Sequence, residues 1–230
     1  MAHRLANLND RIAAACNACG RIAADVALLP VSKTFPIDAI RQAQALGLTR
    51  FGENRLQEVR QKAEAMGEQA PAWVVIGPVQ TNKAKDVARW AAQLQTLDRI
   101  ELAQALDRRL QSEGRALDVL VQVKTAIEPS KHGLAPSDLI AFLRDVARFD
   151  TLRVGGLMTV ATQTEDPDAV RACFRTLRLL QGQAREAAID RIDLSQLSMG
   201  MSGDFELAIA EGSTEIRIGS ALFGDRDYAV

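Results

Sequence analysis

The sequence predicts an α/β fold: a TIM-like (β/α)8 barrel with an extra N-terminal helix. Three observations carry this. Short apolar runs alternate with amphipathic helical stretches from end to end, eight such units can be counted, and 230 residues is a length that barrels commonly fill as one domain. No linker or low-complexity tract divides the chain, so residues 1–230 read as a single domain. An open doubly wound sheet uses the same local units; the strand count favours the barrel.

The elements follow in order. Leu5, Leu8, Ile12 and Ala15 recur at helical spacing in a first helix over residues 3–24. Residues 26–32 form an apolar run the length of a buried parallel strand. Pro36 suits the first turn of a helix that places Ile37, Ile40 and Ala43 on one face. Residues 50–52 make a second strand, followed by a helix through Leu56, Val59 and Ala63. The third strand, 73–76, ends at Gly77 and Pro78 and leads to a helix over 83–92. Strand 94–97 precedes a helix over 100–110, and strand 117–123 precedes a helix opened by Pro136 and continued over 139–147. Strand 152–157 is followed by the helix of Pro167, Val170, Phe174, Leu177 and Leu180. Strand 196–198, the helix Phe205–Ala210 and strand 214–218 complete the set.

Composition excludes several functions. With 28 basic and 29 acidic residues, and a net charge of −1, nothing builds a field for nucleic acid or anionic lipid. No apolar run approaches the roughly 20 residues of a membrane helix. The N-terminal stretch carries charges throughout and does not read as a secretory leader. Together with only three cysteines, this points to the cytoplasm. Cys16 and Cys19 form a C-x-x-C, but inside an Ala-rich helical stretch, without a preceding strand or a second pair. They read as two small residues on a helix rather than as redox or zinc ligands.

In a barrel, reacting groups gather at the C-terminal strand ends and the loops beyond. Lys33 ends the first strand and alternates with Leu29 and Val31, so its ammonium emerges from an apolar column. Desolvation favours the neutral amine, the form that attacks a carbonyl. A surface lysine at a strand end is the plainer alternative. At the last strand, Gly219-Ser220 offers backbone N–H groups and a hydroxyl to an anion. If Ile216 and Ile218 face the helices, Arg217 faces the barrel centre and is paired there, with Glu215 or Asp204, or serves a ligand. The Gly- and Ser-rich turn 198–204 precedes a helix and suits an anion. Asn54 either reaches a ligand oxygen or caps the following helix. Ser130-Lys131-His132-Gly133 is a polar turn that meets a ligand or is simply solvated. With two histidines, His3 and His132, and one tyrosine, Tyr228, no Ser–His–Asp or Cys–His arrangement and no metal cluster is visible. A lysine and a phosphate cradle remain, and together they describe a phosphorylated aldehyde.

Further segments stand in a fixed order along the chain: Val31-Ser32-Lys33-Thr34, Phe51-Gly52-Glu53-Asn54, Ile76-Gly77 with Gln80 and Asn82-Lys83, Lys131 with Gly133, and Gly156-Leu157-Met158. Leu197-Ser198-Met199-Gly200-Met201-Ser202 and Gly212-Ser213-Thr214 follow, the latter running into Arg217-Ile218-Gly219 and Phe223-Gly224. Over essentially its whole length the chain resembles the pyridoxal phosphate homeostasis proteins, relatives of the N-terminal barrel of alanine racemase. The resemblance implies that pyridoxal 5′-phosphate (PLP) is held as a Schiff base on Lys33, with Arg217 against the pyridine nitrogen. It also implies that Ser198, Gly219 and Ser220 hold the phosphate and that Asn54 lies near the ring. Two departures stand out: Val74 where the family often carries a histidine, and Ser220 where many relatives have threonine, which keeps the hydroxyl.

An always-charged arginine disfavours a proton on the pyridine nitrogen and weakens the ring as an electron sink. Alanine racemase uses a second acid/base from a partner domain that this chain lacks. The expectation is therefore a carrier that buffers PLP, delivers it to PLP-dependent apoenzymes and so affects amino-acid and keto-acid balance. The alternatives are a racemase-type PLP enzyme and, without cofactor, a Schiff-base aldolase on a phosphorylated sugar.

Overall fold

The computed structural model describes residues 1–126, 128 and 132–224. Parallel strands β1 (Ala27–Pro30), β2 (Arg50–Glu53), β3 (Ala72–Val75), β4 (Gln93–Leu97), β5 (Leu117–Gln122), β6 (Leu152–Met158), β7 (Gln196–Ser198) and β8 (Glu215–Ile218) form one sheet. Its order, β1-β8-β7-β6-β5-β4-β3-β2, brings the last strand beside the first. β1 pairs with β8 from Ala27↔Glu215 to Pro30↔Ile218. The seam between β1 and β2 is held by the single bridge Val31↔Gly52, where the Ser32 N–H donates to the Gly52 carbonyl at 3.0 Å. The result is a nearly closed barrel, sealed at its C-terminal end. Gly52 permits that seam: a Cβ there would sit 3.2 Å from Ile76 Cδ1 and 3.4 Å from the Leu29 and Val31 side chains, tighter than ordinary van der Waals contact.

Around the sheet lie α1 (Ala2–Ala18), α2 (Ile37–Gln44), α3 (Leu56–Met66), α4 (Ala84–Trp90), α5 (Ile100–Glu113), α6 (Leu139–Val146), α7 (Pro167–Glu186), α8 (Phe205–Ala210) and α9 (Ser220–Phe223). Each helix of eight or more residues buries one stripe. In α7 that stripe is Val170, Phe174 and Leu177, and the helix starts on Pro167 with the Asp166 carboxylate accepting from the Asp168 N–H at 2.9 Å. The helix-facing sides of the strands complete the core through residues such as Val75, Val119, Ile216 and Ile218, all fully buried. Burying them is the main favourable term in folding.

Three boundaries differ from the sequence reading. α1 ends at Ala18, not near residue 24, because the Arg21 N–H bonds back to the Cys16 carbonyl and its side chain donates to the Ile209 carbonyl. This turns the chain towards β1. Cys16 faces the core and Cys19 lies just past the helix. Lys33 does not end β1; it lies three residues beyond Pro30, in a turn. Finally, Ser220 begins the short helix α9, which the sequence reading did not separate from the last strand.

Candidate functional site

At the C-terminal end of the barrel a cavity of about 380 Å³ is lined by Lys33, Asn54, Arg217, Gly219 and Ser220, with Ser202 and Gly203 on the same rim. Val31, Ile76, Met158, Val160 and Met201 supply its apolar walls. Among the described residues that line it, Lys33 and Arg217 are the only ionisable ones. Five of the six site residues expected from sequence therefore converge on one cavity.

Ser198 is the sixth, and its side chain lies elsewhere. It is fully buried in the barrel lumen beneath Arg217. Its hydroxyl donates to Gln95 Oε1 at 2.8 Å and accepts from Arg217 at 2.8 Å. Ser202, four residues on, takes the rim position instead, 3.4 Å from the Ala221 N–H at the start of α9. The two serines stand in one Gly-rich segment, and only the direction of each side chain separates them.

Arg217 reaches the cavity because β8 alternates: Ile216 and Ile218 join the core while position 217 faces the lumen. Its guanidinium donates to the Ser198 and Thr159 carbonyls, both at 2.7 Å. The ion pairs with Glu215 or Asp204 considered from sequence do not form. Glu215 pairs with Arg50 at 3.0 Å, and the Asp204 carboxylate accepts from the Met201 N–H. Burial lowers the Arg217 pKa to about 10, against the opposing influence of Glu215 and Asp204. The group therefore stays cationic at neutral pH. Beneath it a polar ladder descends the lumen, from Ser198 through Gln95 to Glu215, Gln93 and Arg50.

The turn bearing Lys33 is held from β2 and α3. Lys62 Nζ donates to the Ser32 carbonyl at 2.9 Å and to Glu53 Oε1 at 2.7 Å. Ser32 Oγ donates to the same Glu53 oxygen at 2.6 Å, and the Thr34 N–H donates to Glu58 Oε2 at 2.8 Å. Phe35 stacks on Phe223 of α9 with ring centroids 4.8 Å apart, tying this turn to the Gly219–Ser220 rim. Sequence reasoning missed Glu53, Glu58 and Lys62. The signal was present: Lys62 falls in the buried stripe of α3 with Val59, Ala63 and Met66, where a lysine is out of place unless paired.

Asn54 borders the cavity on one side and, on the other, a larger groove of about 870 Å³ that includes Arg55, Lys83, Arg99 and His132. It does not cap α3, whose N-cap is Arg55 without a side-chain cap bond. Its position depends on Gly77, where a Cβ would come within 2.1 Å of the Asn54 carbonyl oxygen. Lys131 and Tyr228, singled out in the sequence, lie outside the described residues.

The fold and site define a barrel of the alanine racemase N-terminal type. The family model "Alanine racemase, N-terminal domain" matches residues 4–227. A pyridoxal phosphate homeostasis protein of Pseudomonas aeruginosa is 42% identical over 229 residues, 99% of this chain and 96% of that one. PipY of Synechococcus elongatus, solved without PLP, superposes with a TM-score of 0.87 at 34% identity, covering 97% of this chain and 99% of that one. With PLP bound, PipY gives a TM-score of 0.82, covering 93% of this chain and 100% of that one. The chain belongs to the alanine racemase N-terminal domain family and, within it, to the pyridoxal phosphate homeostasis proteins.

Proposed function

We propose that this chain, acting as one domain over residues 1–230, binds PLP reversibly as a Schiff base on Lys33 and serves PLP homeostasis in the cytoplasm as a carrier rather than a catalyst. The observation that carries the reading is the convergence of Lys33, Arg217 and the Ser202–Gly203 and Gly219–Ser220 rims on one cavity. A relative solved with PLP bound shares the fold over nearly the whole chain.

The donor set fits the molecule. Lys33 would be the amine for the aldehyde, Arg217 would meet the pyridine nitrogen, and Asn54 would lie by the ring. Ser202, Gly219 and Ser220 take the phosphate, with hydroxyls and close backbone rather than cations. In this reading Ser198 acts indirectly, by holding Arg217. PLP itself supplies an electrophilic aldehyde and an electron-withdrawing ring. Arg217, positive at neutral pH and buried, opposes a second positive charge on the ring nitrogen. Two-base racemisation of a bound amino acid needs an acid/base placed on each face, and the described lining offers only Lys33 beside this arginine. No described helix is long and apolar enough to cross a membrane.

The test is the visible absorption of the purified protein beside Lys33→Ala. A Schiff-base band in the first and its complete loss in the second is the expected result. Transfer of PLP to a PLP-dependent apoenzyme, read as its reactivation, tests delivery. Solvent deuterium entering the α-carbon of an amino acid would instead establish a racemase-type enzyme.

A further inference from the structure

The peptide planes on both sides of Lys33 are gripped by one ionic cluster, buried at Glu53 and Lys62 and partly exposed at Glu58. The plane between Ser32 and Lys33 is held through its carbonyl by Lys62, and the plane between Lys33 and Thr34 through its N–H by Glu58. Two fixed planes fix the Cα between them, and with it the direction of the side chain. The grip holds a strained geometry: Thr34 has φ +69°, a left-handed conformation costly for a β-branched residue. The cluster is poorly explained by stability alone. Glu53 is 0% exposed and Lys62 8%, Glu53 Oε2 has no hydrogen-bond partner, and buried ion pairs often give no net gain over apolar packing.

We infer that Glu53, Glu58 and Lys62 are positioning residues that aim Lys33 at the aldehyde carbon of the ligand. The inference rests on the Schiff-base reading of Lys33. In the step it serves, the neutral Lys33 Nζ adds to that carbon, a C=N bond replaces C=O, and the aldehyde oxygen leaves as water with the two amine protons. A misdirected amine slows this step without changing the phosphate rim, since small misplacements of a reacting group are costly in rate.

The experiment compares two ligands on the full-length protein. PLP reports Schiff-base formation by stopped-flow absorption, and pyridoxine 5′-phosphate, which has no aldehyde, reports non-covalent binding by calorimetry. Glu58→Ala removes the acceptor of the Thr34 N–H and leaves the Glu53–Lys62 pair intact. It is expected to slow Schiff-base formation about tenfold and to change pyridoxine 5′-phosphate affinity by less than about twofold. Glu53→Gln is expected to act in the same direction; if it fails to fold, Glu58→Ala still decides the matter. Adding Thr34→Gly to Glu58→Ala restores the rate to within about threefold of the unsubstituted chain, because glycine takes a positive φ without strain. Equal losses for both ligands, or no loss for either, would overturn the positioning role. A normal pyridoxine 5′-phosphate affinity with no Schiff-base band in the unsubstituted chain would overturn the Lys33 assignment itself, and the positioning role with it.

Discussion

Two basic side chains look into the same cavity and are held by opposite means. Arg217 sits on carbonyls and a hydroxyl, with the neutral amide of Gln95 below it. The Lys33 turn is held by full charges, in which Lys62 ties Glu53 and Glu58 to the Ser32 carbonyl. The lumen keeps a permanent cation in one orientation, and neutral acceptors suffice for a group that never gives up its proton in the physiological range. The turn must instead hold backbone against strain, and charge-assisted bonds are the stronger restraint. One consequence is that the lysine turn should depend on pH while the arginine support should not.

The largest expected effect breaks the ionic side. Lys62→Met leaves the Glu53 carboxylate buried with only Ser32 as donor, and should cost about 3–5 kcal/mol, read as a lower urea midpoint. Burial already raises the Glu53 pKa, and Lys62 is the leading influence that lowers it. Removing the lysine therefore raises the folded-state pKa further above the unfolded value. A raised folded pKa gives stability that is present below the unfolded pKa and lost as pH climbs through the folded one. The deficit of Lys62→Met should thus be smallest near about pH 4, around the unfolded value, and grow towards neutrality. A deficit independent of pH would remove the distinction drawn between the two supports.

Next in size, Gln95→Leu breaks the neutral side. It strips a hydrogen bond from Ser198 Oγ and another from the Glu215 carboxylate, and should cost about 2 kcal/mol, read as a lower urea midpoint. Arg217→Lys is smaller in its effect on folding and acts on the ligand. A lysine cannot span the Ser198 and Thr159 carbonyls as a planar fork does, and PLP affinity should fall about tenfold by equilibrium titration. The smallest effect separates the two serines. Ser198→Ala should lower stability by about 1 kcal/mol and leave the affinity for inorganic phosphate nearly unchanged. Ser202→Ala should do the reverse, weakening phosphate about fivefold with stability intact. If Ser198→Ala carried the phosphate effect instead, its role would be direct.

Much of this was legible before any coordinates. The strands were located to within a residue or two at nearly every boundary, because short apolar runs mark strands such as β3 and β5 and strict alternation marks β8. Arg217 was legible because alternation in a strand fixes which side chains look inward; Lys33 and Gly219–Ser220 lie just beyond strand ends, where a barrel gathers its site. The support around them was less so. Gln95 and Ser198 are separated by about a hundred positions, and Glu53 and Lys62 lie on different elements with different periods. The lysine in the apolar stripe of α3 was a usable sign, but its partner was not.

The sequence by itself determined a barrel with a lysine at one rim and an inward arginine at the last strand. Both follow from local rules of alternation, length and turn chemistry that act within a few residues. Tertiary structure decided what the closure of the sheet brings together. Ser202 rather than Ser198 lines the cavity, Glu215 serves Arg50 rather than Arg217, and Glu53, Glu58 and Lys62 converge on the lysine turn. These pairings form when separate strands and helices pack together, so that polar groups excluded from water must find one another.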